Sequence, residues 1–572
     1  MPTVAEAIAR ALSRRGVTHI FGQSLPSAVI LAGEDAGISQ VMYRTENAGG
    51  AMADGFAKVS GTIGVVAAQN GPAATLLVPP LTEAMLTSTP ILALVQDVPT
   101  PTIDRNAFQE LDHFALYSVC SKWTRRITDP ARAVEYVDRA IDIATSGRPG
   151  PVVLLLPKDV LISTVDDVDR VLPVGGEFPL DRPRADKRAV AETAELIANA
   201  KAPLIVAGGG VNRSRAAAEL ARLQEFAGVP VATTNMGKGA VDERHPLSVG
   251  VIGNVMGERA PTRFFREQVK NSDLVVLVGT RTNENGTDSW SAFGEDTRFV
   301  HIDVDGTEVG RNYQALRVVG DARSTLADLI EMLQVSDLSM RDTARPQVEA
   351  LIAEARRKHE EQLAERVNLD AAPMRPERVA QEIDAVIDED AVLVADASYS
   401  TIWLAQYVKA RRPGQHFVYP RGMAGLGWGM PMAMGAKVAA PDSKVIALVG
   451  DGGFAHVWSE FETAVRMQIP LTVILLNNSI LGFQKHSELV QFSRHTHSID
   501  FDPVDHVAVA RACGAAGVRV EKPTEFADAL REALDSDVPT LIEVITDPDA
   551  YPPITAWERR REVLPADQTE SV

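Results

Sequence analysis

Two cysteines in 572 residues, Cys120 and Cys513, are too few for a disulfide framework and point to a reducing home, the cytoplasm. No apolar run reaches the ~18 residues a membrane-spanning helix needs, so no membrane partner is expected. The N-terminal stretch MPTVAEAIARALSRRG carries Val4, Ile8, Ala11 and Leu12 at helical spacing and lacks the continuous apolar core of a signal peptide. An excess of basic charge is missing too. The net charge of −19 argues against a nucleic-acid partner, because phosphate backbones require a basic face. What is present, 45% hydrophobic and 23% charged residues, is the composition of an ordinary globular enzyme. The length exceeds what one core supports, so about two to four domains are expected.

Strand-like apolar runs alternate with helical patterns in three blocks, which predicts α/β architecture throughout, as three doubly wound parallel-sheet domains. The first, residues 1–172, contains GVVAA at 64–68, PILALV at 90–95 and PVVLLL at 151–156. A Pro-containing link at 178–184 leads to a central domain, 185–335, with strands at 202–206, 273–278 and 298–304. A charged span, 336–376, reads as a solvated linker helix over 347–367. The last domain, 377–552, has strands at 391–395, 444–449, 471–476 and 540–545, and a charged tail follows at 553–572.

The chemistry concentrates in Gly450-Asp451-Gly452-Gly453, after one predicted strand, and Asn477-Asn478, at the end of the next, with a helix expected over 454–469 between them. Alone, each is a common turn or strand end; together they put a carboxylate and a carboxamide at the carboxyl ends of two strands, where open α/β sheets bind ligands. Oxygen ligands of this kind suit Mg²⁺, and the glycines let backbone N–H groups approach a diphosphate. At the other end of the chain, Arg44-Thr45-Glu46-Asn47 sets a carboxylate at a helix start, which is also where an ordinary acidic residue sits. In the central block, Gly208-Gly209-Gly210 follows a strand, but Arg213 stands where a dinucleotide fingerprint has its last glycine.

The Gly-Asp-Gly to Asn-Asn spacing resembles the thiamine-diphosphate motif. With Asn106–Glu110 (NAFQE), Ser146–Val152 (SGRPGPV), His301–Asp305 (HIDVD) and Met423–Met430 (MAGLGWGM), the chain resembles the acetolactate-synthase-like branch over nearly its whole length. The resemblance implies thiamine diphosphate, with Asp451, Asn478 and the Ile480 carbonyl on Mg²⁺ and Gly452 and Gly453 beside the diphosphate. It makes Glu46 the acid that activates the cofactor and Leu426 the wedge between its rings. Asn70 and Ser400 become cofactor contacts, and Phe108 and Gln109 line the chamber. Outside the resemblance, Leu426 reads as a core leucine and Phe108-Gln109 as an unremarkable helix pair. The implied reaction joins a 2-oxo acid, after loss of CO₂, to a carbonyl acceptor. A 2-oxo-acid decarboxylase, a 2-hydroxyacyl-coenzyme A lyase and a non-catalytic scaffold are the alternatives. In that family the site forms between subunits, which implies a homodimer or homotetramer.

Several positions depart from the branch pattern. Ser24-Leu25-Pro26-Ser27 replaces a Gly-rich turn, so the backbone at Leu25 and Pro26 approaches the reacting carbon differently. Asn70 stands for a hydroxyl, Ser400 for a histidine. Past the Asn pair, Gln484 and Ser487 stand where the branch has Val and Trp, His486 adds a further polar group, and an acceptor with hydrogen-bonding groups is expected. Asn285 replaces an arginine, which leaves the central groove open between FAD, an adenine nucleotide and no ligand.

Overall fold

A computed structural model describes residues 1–165, 179–367 and 371–561 of the chain. The boundary expected at residue 172, the start of the link at 178 and the end of the tail beyond 561 lie outside these. The described residues form three six-stranded sheets in which every strand pair is parallel. The central strands of each sheet are short apolar runs buried on both faces, as parallel sheets covered by helices require.

The first and third sheets share one strand order. In the first it runs Ser39–Val41, His19–Phe21, Gly64–Ala68, Ile91–Asp97, Val152–Pro157, Trp123–Arg126. In the third it runs Phe417–Val418, Val392–Ala395, Val445–Gly450, Thr472–Asn477, Thr540–Ile545, Ala516–Val520. In both, the order reverses beside the first strand of the domain, and the crevice at that switch point is where such sheets bind ligands. The central sheet is built around Pro203–Ala207 and Leu274–Val278.

The outer domains pack through two helices, Glu46–Ser60 and Gly429–Ala439. Glycine is required on each: a Cβ on Gly55 would strike the Met432 carbonyl, and one on Gly435 would strike the Met52 carbonyl. The apolar residues of both helices join one core with the inner faces of both sheets.

Two expectations need correction. The helix expected over 454–469 is broken: Asp451–Phe454 is one turn, and the next helix is Glu460–Arg466. Between them, bonds three residues apart (His456 N–H to Gly453 O, 3.1 Å; Val457 N–H to Phe454 O, 3.0 Å) tighten the chain and deliver Glu460 to the first domain. The charged span is helical, Ser339–Val367, but not simply solvated. Ile352 and Ala355 are buried, and Arg356 donates to the carbonyls of Glu243 (2.8 Å), His245 (2.9 Å) and Ser248 (2.6 Å). No helix among the described residues is long and apolar enough to cross a membrane.

Candidate active site

A cavity of about 600 Å³ opens over the carboxyl ends of the third sheet, at its switch point. Ser400, Leu426, the Gly450–Gly453 turn, Asn478 and Ile480 line it, with Gln484 and Ser487 on a further wall. Asp451 is buried there. Its Oδ1 accepts from Gly452 N–H (2.9 Å) and its Oδ2 from Ser479 N–H (2.7 Å). Burial pushes its carboxyl up to about 6, against the opposing pull of those N–H groups. The Asn pair diverges: Asn477 donates inward to Glu543 Oε1 (2.7 Å), while Asn478 faces the cavity and its Oδ1 accepts from Ile480 N–H (3.3 Å). Ser479, at φ 55°, makes the turn between them.

These donors fit a magnesium–diphosphate pair. Among the described residues no three His, Cys, Asp or Glu side chains gather as a metal cage. One buried carboxylate, one carboxamide and a carbonyl leave coordination positions for phosphate and water, the arrangement Mg²⁺ accepts. The glycine turn leaves no room for side chains: a Cβ on Gly452 would lie 2.7 Å from Leu481 Cδ2, and one on Gly453 would strike Asp396.

Asp396 belongs to no motif of the sequence. It is buried at the end of Val392–Ala395 and accepts from the backbone N–H groups of Ala397 (2.8 Å), Gly427 (3.0 Å), Trp428 (3.1 Å) and Gly429 (3.3 Å). It thereby fixes the loop that carries Leu426. A carboxylate one residue past a buried strand was the available signal.

His486 departs from expectation. Its ring is buried, with Nδ1 3.0 Å from the Tyr399 hydroxyl and 2.8 Å from the Gly482 carbonyl, and it packs on Tyr551. Gln484 and Ser487, three apart, share the cavity face of Gly482–Phe492, and His486 is turned away from it.

The remaining expected residues lie elsewhere. Leu25, Pro26, Glu46, Asn70, Phe108 and Gln109 sit beyond strand ends of the first sheet, and none lines the cavity of its own chain. Glu46 opens the helix Glu46–Ser60, capped by Thr45, and is half-buried. Asn70 donates to the carbonyls of Phe108 (3.3 Å) and Gln109 (3.0 Å), and Gln69 donates to Gln109 Oε1 (2.8 Å). Phe108 is left 83% exposed. Gly71 is held to His113 Nε2 (3.2 Å), whose Nδ1 lies 3.4 Å from Asp97 Oδ1. Burial alone would raise the Asp97 carboxyl, but His113 and Arg126 hold it below the usual range.

A second hollow, about 130 Å³, lies where the central domain meets the other two. Gly209, Gly210, Asp303 and the arginines Arg148, Arg213, Arg281 and Arg421 line it. Arg213 is half-buried, its Nε buried and unpartnered, and desolvation lowers the guanidinium to about 10. Asn285 and Arg421 line both hollows.

Comparison with known proteins agrees with this geometry. Three profiles match in order: the N-terminal TPP binding domain of thiamine pyrophosphate enzymes at residues 2–116, their central domain at 190–329, and their C-terminal TPP binding domain at 396–544. The chain is 32% identical to a probable acetolactate synthase large subunit of Methanocaldococcus jannaschii, across 98% of this chain and 95% of that one. It is 31% identical to an acetolactate synthase of Mycobacterium bovis, across 99% and 91%. With the acetolactate synthase large subunit of Corynebacterium glutamicum it shares 30% identity, across 98% and 90%. The chain therefore belongs to the acetolactate-synthase-like family of thiamine-diphosphate enzymes.

Proposed function

We propose that the protein is a magnesium-dependent carboligase that decarboxylates a 2-oxo acid and joins the remainder to a carbonyl acceptor bearing hydrogen-bonding groups. The observation that carries this is the pairing of Asp451 and Asn478 oxygens with a polar wall, Gln484 and Ser487, in one cavity. Bound thiamine diphosphate supplies the electron sink. Asp451, Asn478 and the Ile480 carbonyl would hold the metal, Gly452, Gly453 and Ser400 would meet the diphosphate, and Leu426 would pack against the cofactor. Glu46 holds the activating proton, and Asn70, Phe108, Gln109, Leu25 and Pro26 close the chamber.

This reading needs two chains. The cavity walls come from residues 254 onward, while the Glu46 half-site faces outward with Phe108 exposed. We therefore infer a homodimer, or a dimer of such dimers, in which each cavity meets the partner's first domain. The domain limits proposed are 1–172, 185–335 and 377–552, and the two free cysteines favour the cytoplasm.

The arginine-lined hollow fits the diphosphate of FAD or of an adenine nucleotide, since the buried unpartnered Arg213 Nε and the neighbouring guanidinium groups of Arg148, Arg281 and Arg421 are anion-seeking groups. The visible spectrum of the purified protein decides between them: flavin bands are present only if FAD is held. A panel of 2-oxo acids crossed with aldehydes tests the reaction. Fastest turnover as pyruvate self-condensation, unchanged in Gln484→Val, would refute the polar-acceptor reading; acetaldehyde alone would assign a decarboxylase.

A further inference from the structure

We infer that Glu460, on the C-terminal domain, is the positioning residue for Glu46, completing from another domain the cap of the helix that Glu46 opens. The inference rests on the reading of Glu46 as the activating acid.

A helix start is fully capped when the N-cap side chain accepts from the third helical N–H and a Glu or Gln at that third position accepts from the N-cap N–H. The first helix of the chain does both locally: Thr3 Oγ1 accepts from Glu6 N–H (3.3 Å), and Glu6 Oε2 from Thr3 N–H (2.7 Å). At Glu46 only half is local. Thr45 Oγ1 accepts from Ala48 N–H (3.3 Å), but the Ala48 methyl carries no acceptor to return the bond. The missing acceptor is Glu460 Oε1, 3.0 Å from Thr45 N–H and 3.1 Å from Arg44 N–H. Glu460 is buried and its other oxygen accepts from Thr463 (2.8 Å) and Arg44 N–H (3.2 Å), so the carboxylate has no competing solvent. Around it, Arg44 bonds Glu462 (2.7 Å) and Arg466 bonds the Met42 carbonyl (3.2 Å).

Glu46 is the first residue of its helix, where fraying would let the side chain wander, and a misplacement of about 1 Å can cost about 100-fold in rate. The first domain returns the device. Glu83, also buried, accepts from Gly422 N–H (2.9 Å) and Met423 N–H (2.5 Å), at the start of the loop that leads to Leu426. Gly422 must be glycine for that approach, since a Cβ would lie 2.9 Å from Leu86 Cβ. Each domain thus holds the other's functional loop by a carboxylate on backbone N–H groups.

The test uses the full-length, cofactor-loaded enzyme and the exchange of the cofactor C2 proton for deuterium. Glu460→Asp keeps the charge but falls one methylene short of Arg44 and Thr45; Glu460→Gln keeps an oxygen for them and turns its amide to the Thr463 hydroxyl. Expected are exchange slowed about tenfold or more in Glu460→Asp and close to wild type in Glu460→Gln. Both variants stay fully folded at the assay temperature, with cofactor affinity and donor KM unchanged, while kcat follows exchange. Wild-type exchange in Glu460→Asp, equal slowing in both variants, or slowing matched by lost cofactor or lost fold would each overturn the proposal. Glu46→Gln is the control: if it exchanges like wild type the underlying role of Glu46 fails, whereas slow Glu46→Gln beside normal Glu460→Asp removes only the positioning role.

Discussion

Asp451→Asn should stabilise the protein in the absence of metal and cofactor, and should do so only above the acid range. Burial lifts the Asp451 carboxyl from 3.8 to about 6, so ionising it in the folded state is unfavourable until a cation arrives. The folded chain then holds a proton that the unfolded chain has released between about pH 4 and 6, and wild-type stability falls as pH rises through that window. A shift of about two units at 1.36 kcal/mol each gives about 3 kcal/mol by pH 8 and roughly half of that at pH 5. Asn carries no such cost, although it leaves one of the two N–H donors poorly matched at every pH, which offsets about 1 kcal/mol uniformly.

Calorimetry of the metal-free, cofactor-free enzyme reads this directly. For a domain of this size each kcal/mol moves the midpoint by about 2–4 °C, so the difference between variant and wild type should widen by roughly 3–6 °C from pH 5 to pH 8. A constant difference would refute the assignment of a buried carboxylate with no cation beside it. Adding Mg²⁺ with thiamine diphosphate should reverse the order, since a ligand at about 100 times its Kd adds about 2.7 kcal/mol to the wild type alone. A variant that gains as much would remove Asp451 from the metal site.

Asp396→Ala leaves four backbone N–H groups without their acceptor, each worth about 1–3 kcal/mol when buried; weakened cofactor binding, read by tryptophan fluorescence titration, is expected. Gly435→Val drives a side chain into the Met52 carbonyl and should lower the melting temperature through a cost of about 1–3 kcal/mol or more, whereas an unchanged midpoint would show that the two helices can separate freely. Cys120 is buried, and burial pushes its thiol up to about 11, so thiol titration of the native enzyme should label Cys513 and reach Cys120 only on unfolding. Thr3→Ala should cost about 1 kcal/mol by loss of the local capping box, visible as earlier melting of the first domain.

The central strands of each sheet were legible because they are short apolar runs, a pattern local in the chain, whereas edge strands such as Trp123–Arg126 and Ala516–Val520 are too polar to stand out. Asp451 and Asn478 were legible for the same reason: each stands one residue beyond such a run. What stayed hidden is what depends on partners far along the chain. Glu460 reads as one more acidic residue in a helix, and its acceptor role appears only when Arg44 and Thr45, more than 400 positions earlier, come against it. The break at 455–459 was missed because helix propensity there is adequate; tertiary docking of Glu460, not a local breaker, decides it. His486 was read onto the cavity wall because spacing alone cannot tell which face of a helix is which until Tyr399 and Tyr551 are placed.

The shared strand order of the outer sheets gives these non-local contacts a common logic. Two domains of one topology meet through helices with glycines at their crossing, and each presents a buried carboxylate to the loop that precedes the other's helix. Glu46 and Leu426 lie beyond those two loops and, in the proposed dimer, belong to different cavities. A carboxylate that steadies one cavity's acid is therefore anchored in the domain that forms the other cavity's floor. In that proposed dimer, movement of the floor would reach Glu46 through the Arg44 and Thr45 N–H bonds to Glu460 rather than through solvent.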